Sequence, residues 1–140
     1  MASNFLNILN QLHDHHVEFV IVGGVAAALH GGSRVTFDLD LVPSLAPDSW
    51  QAAVDLLWSL GTRPRIPEPL ERIRDVEQIR DHFEALRQRA VKVTIDQRTF
   101  FVASIDDLIA MKRQAGRPQD LLDIAQLEDI KKRVGYNGPE

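Results

Sequence analysis

The fold of this chain is decided by the stretch from Val22 to Val42, V-G-G-V-A-A-A-L-H-G-G-S-R-V-T-F-D-L-D-L-V. Gly23-Gly24 follows an apolar, β-branched run over residues 17–22, and this order predicts a buried strand that ends in a turn. The alanine-rich residues 25–30 predict a short helix, which Gly31-Gly32 terminates. The stretch therefore predicts a strand and a helix joined by glycines.

Asp38 and Asp40 are the first candidates for a functional site. Residues 36–42 alternate between polar and apolar, which predicts a second strand that Pro43 ends. Carboxylates at positions i and i+2 of a strand point to the same face, where they repel unless a cation lies between them. Hard cations such as Mg²⁺ prefer carboxylate oxygen. The pair therefore predicts a metal site, and Gly23-Gly24 offers bare backbone N–H groups that suit a phosphate.

Each of these two features has a simpler interpretation when it is taken alone. Gly23-Gly24 fits an ordinary tight turn, and the spacing of a dinucleotide-binding G-x-G-x-x-G motif is not met. Exposed carboxylates also occur on ordinary strands, although aspartate is poorly represented there. The glycines and the aspartates together, at this separation, are a more specific signal of a functional site than either feature alone. The combination favours chemistry on a nucleoside triphosphate.

Composition and charge narrow the class of protein. The chain has 140 residues, of which 44% are hydrophobic and 26% charged, so it is long enough to bury a core. Its net charge of −4 argues against a protein that coats nucleic acid non-specifically. It contains no cysteine, which excludes disulfides and thiolate chemistry. No stretch resembles a signal peptide or the ~20 apolar residues of a membrane span, so we expect a cytoplasmic protein without a membrane partner.

Periodicity divides the rest of the chain into further elements. Apolar residues at helical spacing predict helices over residues 4–12 and 47–60, one helix or a pair of helices over residues 71–89, and two more that begin at Ser104 and Pro118. Alternation predicts a hairpin within residues 91–102. We expect Trp58 to lie on the buried side of its helix, and Leu121 and Leu122 to lie on the buried side of the last one.

These elements predict an α/β fold. Strands near residues 17–22, 36–42 and 91–102 would form one small mixed sheet, with helices packed against it and a helical pair at the C-terminus. We expect a single domain over residues 1–135, followed by a frayed tail at 136–140.

Two blocks of sequence resemble the nucleotidyltransferase superfamily. The first block consists of Gly23-Gly24, Ala27, His30-Gly31, Arg34, Thr36 and Asp38-Leu39-Asp40. The second consists of Val102-Ala103-Ser104, Asp107-Leu108-Ile109, Met111-Lys112-Arg113, Gly116-Arg117 and Asp120-Leu121-Leu122-Asp123. The resemblance is closest to a minimal bacterial branch related to abortive-infection, toxin-type enzymes. It covers both ends of the chain and leaves the middle weakly matched.

The resemblance implies a metal-dependent transfer of a nucleoside monophosphate from a nucleoside triphosphate to an acceptor. Asp38 and Asp40 would be the catalytic pair and would bind a Mg²⁺ ion that bridges the phosphates. Gly23 and Gly24 would hold the triphosphate through their backbone N–H groups.

The resemblance also implies nucleotide-binding roles for Arg34, Lys112, Arg117 and Asp120. Arg34 would contact a phosphate from the turn before the carboxylate strand. Lys112 and Arg117 would reach the same pocket from the C-terminal helices, where Asp120 would orient one of them. The simpler alternatives are that these cations pair with nearby acids or face solvent, and that Asp120 favours a helix N-terminus. For His30 we predict a structural role.

The sequence departs from the superfamily pattern in its middle. Transferring members usually carry a third carboxylate on a later strand, whereas residues 72–89 have the periodicity of a helix. Asp96 is the substitute to consider, but strand parity places it opposite the apolar residues Val93 and Ile95, at the tip of a hairpin. This position favours a turn residue.

Three hypotheses follow from the sequence. The first is an active nucleotidyltransferase whose acceptor is a tRNA, a protein or a small molecule, with an antitoxin or a second copy of the chain as a possible partner. The second is a catalytically degenerate module that binds a nucleotide or a protein partner, because the third carboxylate is not visible. The third is a structural domain without a ligand.

Overall fold

The computed structural model describes residues 3–33, 36, 38–44, 46–62 and 76–133. Its elements follow one another as α1 (Ser3–Asp14), β1 (Phe19–Val22), α2 (Gly23–Leu29), β2 (Asp40–Pro43), α3 (Pro47–Ser59), α4 (Val76–Arg89), β3 (Val91–Ile95), β4 (Arg98–Val102), α5 (Ile105–Ala115) and α6 (Pro118–Lys131). The predicted loop over residues 63–69, the start of the 71–89 helix, Arg34 and the tail at 136–140 lie outside the described residues.

The four described strands form one mixed sheet in the order β2-β1-β4-β3. Strand β1 pairs antiparallel with β2 and parallel with β4, and β3 and β4 form an antiparallel hairpin. This arrangement confirms the predicted α/β class, the small mixed sheet and the C-terminal helical pair. Within the described parts of the chain, no helix is both long and apolar enough to cross a membrane.

The core is centred on β1. All four of its residues are buried, although successive side chains point to opposite faces of a sheet, so both faces of this strand are covered. Helices α2 and α4 contact β1, while α1 contacts β4. Among the largest fully buried side chains are Leu9, Leu12, Ile21, Leu86, Phe100, Leu127 and Ile130.

The carboxylate strand is shorter than predicted. It begins at Asp40 instead of residue 36 and includes Pro43, because β1 offers only four residues and pairs Phe19 with Pro43 at one end and Val22 with Asp40 at the other. Among the described strands β2 lies at an edge of the sheet, where proline is tolerated. Asp38 therefore precedes the strand and is not held by the ladder.

The predicted burial of three large side chains was wrong. Trp58, Leu121 and Leu122 are 54%, 67% and 75% exposed. The buried face of α6 instead repeats at helical spacing through Asp120, Ile124, Leu127 and Ile130. Leu121 and Leu122 lie about 100° and 200° around the helix from Asp120, so they face away from the core.

The predictions for Asp96 and Ser104 agree with the structure, whereas helix α2 begins at Gly23, directly after β1, instead of after a turn at Gly23-Gly24. Asp96 and Gln97 form the hairpin turn with φ values of 54° and 65°, and the Asp96 carboxylate contacts Asn10 and Arg98. Ser104 caps α5 by accepting a hydrogen bond from the backbone of Asp107 at 3.1 Å. A turn role for Asp96 is thus confirmed, and this carboxylate lies outside the cavity described below.

The two faces of α6 provide a test of the packing. We expect Leu127→Ala to lower the free energy of unfolding by about 2–5 kcal/mol, because the substitution leaves a cavity in the core. Leu122→Ala on the exposed face should change it by no more than about 0.5 kcal/mol. Urea denaturation monitored by circular dichroism would measure both values, and equal losses would contradict the described orientation of α6.

Candidate functional site

One cavity of about 230 Å³ lies where α2, the segment before β2, α5 and α6 meet. It contains both acidic and basic side chains from opposite ends of the sequence. Its lining residues are Gly24, Ala27, Ala28, Gly32, Thr36, Asp38, Asp40, Lys112, Arg117, Gln119, Asp123, Gln126 and Leu127.

Asp40 lies directly against the backbone of Gly23. Pairing of Asp40 with Val22 at the end of β1 places its side chain beside the first residue of α2. A Cβ atom added to Gly23 would overlap the Asp40 carboxylate, and Gly23 also has a φ of +68°, a conformation that favours glycine. Residue 23 is therefore glycine for two independent reasons, one steric and one conformational.

Asp38 is positioned by Thr36 and Gly24. The Thr36 hydroxyl donates to the carbonyl of Asp38 at 3.1 Å and accepts from its N–H at 3.4 Å. A Cβ atom on Gly24 would lie 2.7 Å from the Thr36 hydroxyl oxygen, so only glycine lets this threonine approach α2. Both aspartates are exposed to solvent and line the same cavity.

A buried carboxylate organises the basic side of the cavity. Asp120 is fully buried and accepts hydrogen bonds from the Arg117 backbone N–H at 3.0 Å, from Arg117 Nε at 2.9 Å and from Arg117 Nη2 at 3.2 Å. Lys112 Nζ lies 3.4 Å from the same carboxylate and 2.9 Å from Asp123. Asp120 thus contacts both predicted cations and caps the N-terminus of α6.

Electrostatic interactions join the two sides of the cavity. Hydrogen bonds from the Arg117 side chain lower the pKa of Asp120 to about 2, against the opposing effect of its burial. The pKa of Arg117 is raised, chiefly by Asp120, and the negative charge of Asp40 contributes to this rise. Arg117 therefore interacts electrostatically with Asp40 as well as with Asp120 of its own helix.

The chemistry of the donor atoms fits a hard divalent cation. Asp38 and Asp40 supply carboxylate oxygens, and Mg²⁺ commonly takes one or two carboxylates while water and substrate phosphates fill its other positions. Among the residues that the structure describes, no group of three or more His, Cys, Asp or Glu side chains is placed to hold a metal. A Mg²⁺ ion held here would thus depend on the two aspartates and the phosphates of a nucleotide.

A protein-family model matches nearly the whole chain. The matching model, DUF6036, is described as a nucleotidyltransferase of unknown function and covers residues 3–137. The chain belongs to this nucleotidyltransferase family. Searches of curated proteins and of solved structures found no match. The family match confirms the resemblance to the superfamily, while the abortive-infection branch stays a prediction.

In this nucleotidyltransferase family member, most of the predicted site residues lie together. Gly24, Asp38, Asp40, Lys112 and Arg117 all line the cavity. Gly23 lies behind one carboxylate and Asp120 lies behind the two cations, whereas Arg34 lies outside the described residues.

The lining residues that were not predicted as site residues include three polar side chains of α6, those of Gln119, Asp123 and Gln126. Their spacing of i, i+4 and i+7 places them on one face of α6, and this spacing was a signal available in the sequence. His30 is buried, with Nε2 2.8 Å from the carbonyl oxygen of Ala103, which agrees with its predicted structural role. Burial lowers its pKa.

The pKa of Asp120 predicts how stability depends on pH. Because its folded-state pKa of about 2 lies below the ordinary 3.8, ionised Asp120 stabilises the fold above about pH 4. This stabilisation is lost as the pH falls from about 4 to 2. We expect Asp120→Asn to reduce the free energy of unfolding by about 2 kcal/mol at pH 7, with the difference shrinking below pH 4.

Urea denaturation of both proteins between pH 2 and 7 would measure this difference. The control is Asp129→Asn, which removes an exposed carboxylate from the same helix and should change stability by no more than about 0.5 kcal/mol at any pH. A difference for Asp120→Asn that does not depend on pH would contradict the assignment of the low pKa to Asp120.

Proposed function

We propose that the protein is a metal-dependent nucleotidyltransferase that moves a nucleoside monophosphate from a nucleoside triphosphate to an acceptor. The observation that carries this proposal is one cavity that contains Asp38 and Asp40 together with Lys112 and Arg117. An acceptor oxygen would bond to the α-phosphorus while the bond from this phosphorus to pyrophosphate breaks. The proton of the acceptor hydroxyl would pass to water.

Each group in the cavity has a role in this proposal. Asp38 and Asp40 would hold Mg²⁺, which when bound would neutralise charge on the phosphates and the leaving pyrophosphate. Lys112 and Arg117 would contact the phosphates from the opposite wall, and Asp120 would keep both cations in place. Gly24 also lines the cavity, and its lack of a side chain makes room for Thr36, which contacts the backbone of Asp38.

The charges of the cavity support a requirement for metal. Its described lining carries three carboxylates, those of Asp38, Asp40 and Asp123, against the two cations Lys112 and Arg117. Asp123 already pairs with Lys112, and Asp120 pairs with both cations. The positive charge of Lys112 and Arg117 is therefore largely neutralised before a triphosphate binds, and the carboxylates of Asp38 and Asp40 would repel its phosphates. A divalent cation bound to the two aspartates would turn this repulsion into attraction.

This charge balance gives a prediction for nucleotide binding. We expect the affinity for nucleoside triphosphate to be at least about tenfold higher with Mg²⁺ than with EDTA, because the cation screens the two aspartates. In the double variant Asp38→Asn/Asp40→Asn, this dependence on Mg²⁺ should be lost, and binding in EDTA should be tighter than in the wild type. Isothermal titration calorimetry would measure both, and equal wild-type affinities with and without Mg²⁺ would refute the charge argument.

Transfer itself can be measured with labelled nucleoside triphosphates. We expect Asp38→Ala and Asp40→Ala each to lower Mg²⁺-dependent transfer by at least about 100-fold, because both remove ligands that stabilise charge in the transition state. Asp129→Ala, which removes an exposed carboxylate of α6, is the matched control and should retain activity. Undiminished transfer by both active-site variants would rule out the proposed catalytic pair.

The acceptor is proposed only as a class. A tRNA, a protein side chain and a small hydroxyl compound are the three candidates, and supplying each separately in the labelled-transfer assay would distinguish them. A toxin-type role, with an antitoxin as partner, is part of the proposal on the basis of the sequence resemblance. Cell-growth arrest on expression of the wild type, but not of Asp38→Ala, would support it.

A second candidate function is a binding module without catalysis. It is favoured because, among the described residues, no third carboxylate joins Asp38 and Asp40 in a group that is placed to hold a metal. Calorimetry that shows tight nucleotide binding without turnover on any acceptor would support this alternative. A protein whose melting temperature responds to neither Mg²⁺ nor nucleotide would instead be a structural domain, since a ligand of the native state raises the melting temperature.

A further inference from the structure

Asp38 lies outside the part of the chain that the sheet holds in place. The β1–β2 ladder begins at the pair Val22–Asp40, so hydrogen bonding between the strands fixes Asp40 but not the residue two positions before it. Within the connection between α2 and β2, Thr36 lies against Gly24 of α2 and contacts the backbone of Asp38. The position of Asp38 therefore depends on what holds this connection.

Gln126 of α6 holds the start of the connection with both ends of its amide. Its Nε2 donates to the hydroxyl of Ser33 at 2.8 Å, and its Oε1 accepts from the backbone N–H of Ser33 at 3.4 Å. The two residues are separated by 93 positions in the chain. Two hydrogen bonds with a side chain of α6 thus hold Ser33, the residue at the start of the segment that leads to Asp38 and Asp40.

Gly32 makes this contact possible. Its N–H donates to the carbonyl oxygen of Ala27 at 2.8 Å, which closes the end of α2. A Cβ atom at Gly32 would lie 2.9 Å from that carbonyl oxygen and 3.3 Å from Oε1 of Gln126. The missing side chain therefore lets both the turn and the amide approach closely.

We infer that Gln126 is a positioning residue for the metal site and acts on Asp38 through Ser33. Because the inference concerns metal binding at the aspartate pair, it rests on the proposed function. Gln126 also lines the cavity, whereas Ser33 does not belong to its described lining. Ser33→Ala therefore removes the hydrogen bond from Gln126 without changing a residue of the cavity lining. The variant distinguishes an effect on Asp38 from a direct contact between Gln126 and a ligand.

Binding of Mn²⁺ to the protein in the presence of a non-hydrolysable nucleoside triphosphate, followed by electron paramagnetic resonance, provides a readout that needs no acceptor. We expect Gln126→Leu and Ser33→Ala each to weaken Mn²⁺ binding by about five- to tenfold, since each removes a hydrogen bond that holds the connection. The double variant should be no weaker than Gln126→Leu alone, because both substitutions break one contact. Ser33→Thr, which keeps the hydroxyl, should bind Mn²⁺ like the wild type.

Hydrogen exchange at the Asp38 amide supplies a second readout that needs no metal. Exchange should be several-fold faster in Gln126→Leu and in Ser33→Ala than in the wild type, because each variant loses a hydrogen bond between α6 and Ser33. Gln114→Leu replaces an exposed glutamine of α5 outside the cavity lining and is the control for both measurements. Melting temperatures would verify that every variant is folded.

The outcomes separate this inference from the proposed function. If the wild type does not bind Mn²⁺, the proposed function fails and the inference fails with it. If the wild type binds Mn²⁺ and Gln126→Leu binds it equally well, only the inference is overturned. The inference is also overturned if Gln126→Leu weakens binding while Ser33→Ala changes neither Mn²⁺ affinity nor exchange, because Gln126 would then act by direct contact.

Discussion

The contact between the Gly23 backbone and the Asp40 carboxylate is the constraint on which the site depends. It exists because β1 and β2 pair in a register that places Val22 opposite Asp40, so the first residue of α2 meets the first residue of the carboxylate strand. Any side chain at position 23 would occupy the space of the carboxylate. One close approach thus links the register of the two strands, the start of α2 and the candidate site residue Asp40.

The second organising interaction is the buried carboxylate of Asp120. Burial of an ionised group is costly unless it is paired and hydrogen-bonded, and here Arg117 and Lys112 meet this requirement from the loop before α6 and from α5. The same contacts hold both cations at the cavity wall and neutralise part of their charge. The resulting cavity contains fixed cations and exposed carboxylates at once, an arrangement suited to a ligand that is itself a complex of an anion and a metal.

The sequence predicted the elements of the first motif well because their signals are local. A β-branched run, two glycines and an alternating segment each specify backbone conformation over a few residues. The prediction was less accurate where a distant partner decides the outcome. The length of β2 is limited by the four residues of β1, and the exposure of Leu121 and Leu122 depends on which face of α6 meets the core. Periodicity cannot choose a face when apolar residues occur on several sides of a helix.

The sequence by itself determined the fold class, the family and the candidate aspartate pair, because a β-branched run, a glycine pair and two aspartates two positions apart are properties of neighbouring residues. Only the tertiary structure decided which residues share the cavity. Lys112 and Arg117 reach Asp38 and Asp40, and Gln126 reaches Ser33, across separations of more than seventy positions. Such contacts arise from packing α5 and α6 against α2 and the connection that precedes β2, and no local pattern encodes the distance between two side chains that meet in this way.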